Sequence, residues 1–129
     1  MRIDIPSEFR PAPVSNYPSY CTPNMAEQFV DKHFTEAETD RIYLPIYWTN
    51  YYCQKEYGKG NIIGLYKFLD SLDKSKRYFS LVQFDDGIID KPHDLDLLVF
   101  SAGHPSGIPI PLLPSHYLDA PECAKEYDL

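Results

Sequence analysis

A chain of 129 residues is the size of one domain, enough for a single core but too short for two nucleotide-binding lobes of roughly 100 to 150 residues each. With 12 Lys plus Arg against 19 Asp plus Glu the formal charge is -7, which argues against nucleic acid or an anionic membrane as partner. No apolar run reaches the roughly 20 residues of a membrane span and the opening MRIDIPSEFRP lacks a signal-peptide core, so a cytoplasmic chain with no membrane span is expected.

Prolines cluster towards the two ends, at Pro6, Pro11, Pro13, Pro18 and Pro23 and again at Pro105, Pro109, Pro111, Pro114 and Pro121. Proline fixes φ and removes a backbone donor, so these regions are expected to be extended around a folded middle. The expected organisation is an extended arm over 1–24, an α/β lobe over 25–114 and a tail over 115–129. Within 25–37, Met25, Phe29, Val30, Phe34 and Ala37 recur at helical spacing, with Thr22 or Asn24 placed to cap and Glu27 near the positive helix end. Arg41 to about Tyr47 alternates in β-branched and aromatic types and predicts a strand, with Pro45 placing it at an edge or a bulge. Trp48, Asn50, Tyr51 and Tyr52 follow as a loop past the strand's end, and KEYGKGN supplies a turn.

Asn61 caps a second predicted helix, with Ile62, Leu65, Tyr66, Leu69 and Leu72 on its apolar stripe, running to about residue 73. YFSLVQF at 78–84 predicts a strand that ends in Asp85, Asp86 and Gly87, and LLVFSAG at 97–103 predicts another that ends before His104. IPIPLLP at 108–114 reads as an edge or extended segment because of its prolines. Strand, helix, strand, connection, strand is the order of a parallel sheet with right-handed crossovers, so the predicted fold is a small Rossmann-like three-layer α/β domain. In such sheets ligands gather at the carboxyl ends of the strands, and the three polar loops are expected to share that rim.

Several chemistries are absent from the pattern. Cys21, Cys53 and Cys123 are odd in number and form no C-x-x-C pair, so reduced thiols are expected rather than disulfides or zinc. His33, His93 and His116 have no partner at a ligand spacing. Ser71, Ser80, Ser101 and Ser106 lack a G-x-S-x-G elbow, and neither a P-loop nor G-x-G-x-x-G is present.

The succession YLPIYWTNYY, then YKFLDSLDKSKRYFSLVQFDDG, then LLVFSAG and IPIPLL resembles the N-terminal lobe of exostosin-like GT-B glycosyltransferases, over about residues 41–114. The resemblance implies a lobe on the acceptor side of a transfer from a nucleotide sugar to a glycan hydroxyl, without a resident cofactor or metal. A second lobe would hold most of the donor contacts, so the chain is expected to be incomplete alone. Under that reading Asp85 and Asp86 serve as general base towards a sugar hydroxyl or hold a divalent ion on the diphosphate of the substrate, and His104 serves as base or phosphate contact. Trp48, Asn50, Tyr51 and Tyr52 then form an acceptor-stacking platform. Each has a plain alternative: a solvated Asp-Asp-Gly turn, a loop histidine, and aromatics packed against the N-terminal arm. The competing function is a non-catalytic module whose prolines and tyrosines bind a protein partner or a second copy.

Overall fold

The computed structural model describes residues 2–12, 25–34 and 39–110. Their elements in chain order are a 3-10 turn at Ser7–Phe9, α1 at Met25–His33, β1 at Ile42–Tyr43, α2 at Trp48–Gln54, a 3-10 turn at Glu56–Gly58, α3 at Ile63–Asp70, β2 at Arg77–Val82, β3 at Asp96–Ser101 and β4 at Ile108–Pro109. The strands make one sheet in the order β1-β2-β3-β4, parallel throughout.

Residues opposite one another in the register share a face, which places Tyr43, Phe79 and Leu98 on one side and Ile42, Tyr78 and Leu97 on the other. Phe34, one residue past α1, meets the rings of Tyr43 and Phe79 at centroid distances of 4.8 and 5.8 Å, so α1 covers the first face. On the second face Trp48 of α2 donates to Ser80 Oγ at 2.8 Å, and Leu65 and Leu69 of α3 join Tyr78, Val82 and Leu97 in the core. The domain is therefore the three-layer α/β arrangement expected from the order of its segments.

Local differences have local causes. The strand predicted over 41–47 ends at Tyr43, because Pro45 has no N–H to give and the chain folds into a tight turn with Ile46 N–H on the Leu44 carbonyl at 2.9 Å. Nor is β1 a free edge: Arg2 bridges to Tyr43 in parallel, and Ile3 N–H donates to the Tyr43 carbonyl at 3.2 Å. Asn61 is not the cap: its Oδ1 accepts the Ile63 N–H at 3.2 Å in a turn one residue ahead of the N-cap Ile62, and α3 stops at Asp70 rather than 73. The caps Thr22 and Asn24, residues 35–37 of the first predicted helix, the segment 111–114, Cys21, Cys123 and His116 lie outside the described residues.

β2 and β3 are joined through turns rather than a helix, and a ring of hydrogen bonds holds this connection down. Ile89 N–H donates to Tyr52 Oη at 3.1 Å and Tyr66 O–H donates to the Ile89 carbonyl, which leaves the Tyr52 hydrogen for Tyr66 Oη at 3.1 Å. One face of the rim is thereby anchored to α2 and α3.

Candidate functional site

The turn after β2 and the loop after β3 meet at the carboxyl end of the sheet. Gly87 sits at φ +69°, and a Cβ there would stand 3.1 Å from Cβ and Cγ of His104. A Cβ on Gly103 would stand 3.3 Å from Asp85 Oδ1. Glycine at both positions lets the two segments close on each other, with Ala102 N–H tying the second to the Val82 carbonyl at 3.1 Å. Asp85, Asp86 and His104 are thus brought together, and both carboxylates are exposed.

His104 is tied into its own loop. Its backbone N–H donates to Ser101 Oγ at 3.0 Å, and its Nδ1 lies 3.2 Å from the Ser106 N–H donor and 2.6 Å from Ser106 Oγ. Where Nδ1 accepts from Ser106, the neutral ring carries its proton on Nε2. Beside it lies a hollow of about 110 Å³ lined by Gly87, Ile88, Lys91, Val99, Ser101 and Ser106. Ligand pockets usually start at roughly 300 Å³, so this hollow by itself is too small to enclose a drug-sized ligand.

The aromatic platform is overturned by burial. Trp48, Asn50 and Tyr52 are 0% exposed and Tyr51 4%, and the segment is the body of α2 rather than a loop. Trp48 is spent on Ser80, Asn50 Nδ2 on the Pro11 carbonyl at 2.8 Å, Tyr51 on the edge of Phe9 at 5.6 Å, and Tyr52 on the ring of bonds around Ile89. None offers a face to a pyranose. Packing against the N-terminal arm, the other reading of this segment, is what the contacts give for Asn50 and Tyr51.

One group at the rim had no signal in the sequence beyond its place in a helix's first turn. Glu27 is 1% exposed; its Oε1 accepts from Thr49 Oγ1 at 2.7 Å and Gln83 N–H at 2.8 Å, and its Oε2 from Thr49 N–H at 3.2 Å. Gln83 Oε1 in turn accepts the Ala26 N–H at 2.9 Å. Carboxylate and amide together close the beginnings of α1 and α2 onto the end of β2. Burial pushes the Glu27 carboxyl up to about 7, overriding the three donors that favour its charged form.

A larger hollow of about 550 Å³ lies at the opposite, amino end of the strands, between Ile3, Ile42, Phe68 and Tyr78. Its size suits a ligand, but none of Asp85, Asp86 or His104 lines it. Among the described residues no three His, Cys, Asp or Glu gather to hold a metal ion, and no helix is long and apolar enough to cross a membrane. No family model, curated protein or solved structure matches the chain.

Proposed function

We propose that this domain is the acceptor-side lobe of a sugar transferase. The observation that carries the reading is the convergence of the Asp85–Gly87 turn with the Gly103–Gly107 loop over the carboxyl ends of β2 and β3. Two exposed carboxylates there can accept the hydrogen of an attacking sugar hydroxyl, and Nε2 of His104 can donate to an oxygen of the ligand. The base is then Asp85 or Asp86, with His104 as a further base or a phosphate contact. The order of segments over residues 41–114, similar to exostosin-like transferases, supports the same assignment. A rim hollow of about 110 Å³ cannot enclose a nucleotide sugar, so a facing lobe or subunit has to complete the pocket.

Calorimetric titration tests this directly. Alanine at Asp85, Asp86 or His104 is expected to weaken binding of a glycan acceptor while leaving the melting temperature nearly unchanged, since the carboxylates are exposed and His104 is half-exposed on a loop. Free nucleotide sugars should bind only weakly; a sub-micromolar dissociation constant for one of them would contradict an incomplete donor site. The interaction-module reading draws on a different feature, the exposed Ile63 and Tyr57, 60% and 54% accessible. It would be favoured if the three rim variants changed no carbohydrate binding while aspartate at Ile63 abolished capture of a protein partner.

A further inference from the structure

We propose that the hollow beside β3 is a binding site for one phosphate-type oxyanion. Its volume of about 110 Å³ equals the liquid share of roughly three or four waters, room for a single tetrahedral oxyanion and little more. The donors that line it are uncommitted in a way that asks for acceptor oxygens. Ser101 is 2% exposed; its Oγ accepts the His104 N–H at 3.0 Å, and its own hydrogen meets no acceptor among the described residues. A buried hydroxyl with an unspent donor is a group that a ligand oxygen would satisfy. Lys91 also lines the hollow, and its Nζ spends one hydrogen on the Leu97 carbonyl at 3.0 Å, which leaves two.

The walls sharpen the preference. Val99 and Ile88 give the hollow an apolar side, and no carboxylate lines it, so a cation has nothing to bind there. Gly107 lets the loop after β3 press down on the site, since a Cβ there would come within 2.9 Å of Ser101 Cβ and of the Val99 carbonyl. Against binding stand the chain's charge of -7 and the exposed Asp85 and Asp86 at the same rim. The net charge is largely screened beyond roughly 8 Å at physiological salt, but Asp86 directly precedes the lining residue Gly87 and opposes an anion, so the expected dissociation constant is no tighter than on the order of millimolar. The site does not rest on the transfer reading, because inorganic phosphate needs no sugar to occupy it.

The test is an amide-shift titration of the full chain with inorganic phosphate at constant ionic strength, against chloride. Saturable shifts at Gly87, Ile88, Ser101, Ser106 and Gly107 are expected, and Lys91→Gln should weaken binding about tenfold through loss of a charge-assisted bond. Lys91 is exposed, so that variant keeps the fold; Ser101→Ala, with its melting temperature checked, should weaken binding severalfold. Parallel titrations with glucose 1-phosphate and uridine diphosphate separate free phosphate from a phosphate carried by a larger ligand, the tighter binder naming the source. Linear shifts, shifts centred on Arg2 and Lys76 at the other end of the sheet, or an unchanged affinity in Lys91→Gln would overturn the proposal.

Discussion

Glu27 ties a pH dependence to a single side chain. Its carboxyl ionises at about 7 in the fold and near 4.5 when free, so between those values the unfolded chain has already released a proton that the native chain still holds. Stability contributed by this group is therefore full below about pH 4.5, falls as pH rises through about 7, and is flat above that. The total is on the order of 3 kcal/mol, a sizeable part of the roughly 5–15 kcal/mol that holds a domain together. Glu27→Gln should remove that slope, so urea midpoints of the variant relative to the parent should rise between pH 5 and pH 8; parallel profiles would mean Glu27 does not titrate in the fold. Burial causes the rise, and the residues that close over the carboxyl, Thr49 and Gln83, are 22 and 56 residues away in sequence, which is why no local pattern announced it. The placing of Asp85, Asp86 and His104 in turns just after β2 and β3 was legible for the opposite reason, because these turn-forming or loop residues directly follow apolar strands.

At the level of elements, apolar period located β2, β3 and α3 to within a few residues but failed at α2. Trp48, Thr49, Asn50, Tyr51 and Tyr52 are all buried, so burial over these five positions follows no 3.6-residue rhythm and the segment reads like a loop rich in aromatics. Contacts from the arm, the sheet and the 88–90 turn surround it instead. The rim itself depends on backbone geometry that only glycine meets without strain. Gly87→Ala combines a left-handed φ costing about 1–2 kcal/mol with a 3.1 Å approach to His104, so a loss of about 2 kcal/mol and a fall in melting temperature of roughly 5–10 °C are expected. Gly103→Ala, whose φ is not left-handed, should cost less. Tyr66→Phe strands the Ile89 carbonyl and the Tyr52 hydroxyl, at about 1–3 kcal/mol. Faster hydrogen exchange at the Ile89 amide would report the loosened connection; exchange as slow as in the parent would mean the tyrosine ring of bonds does not hold it.

Over the whole molecule residues 2–12 of the N-terminal arm belong to the core, although the arm's prolines make it read as a wrapping. Phe9 is 2% exposed and packs on Tyr51 and Phe68 at ring distances of 5.6 and 5.4 Å. Its carbonyl takes the Tyr47 N–H at 3.0 Å just before α2, and the carbonyls of Pro11 and Ala12 take the amides of Asn50 and Gln54 at 2.8 and 3.0 Å. Arg2 and Arg10 both pair with Asp31 of α1, which also accepts from Tyr47 Oη at 2.7 Å, so residues 2–12 bind the two helical layers to each other. Phe9→Ala should then cost about 3–5 kcal/mol, the range for removing a buried aromatic ring. Asp31→Asn should cost less, about 1–2 kcal/mol, because both arginines remain one-third exposed and partly screened. Trp48 is the single tryptophan and is fully buried, so its fluorescence follows unfolding of the shared core in urea. A chain beginning at residue 25 should show no cooperative transition by this signal, having lost Phe9 and every arm contact to α2. If it instead unfolded at the midpoint of the full chain, the arm would be an ornament on an independent lobe, and the contacts of Phe9 would carry none of the stability assigned to them.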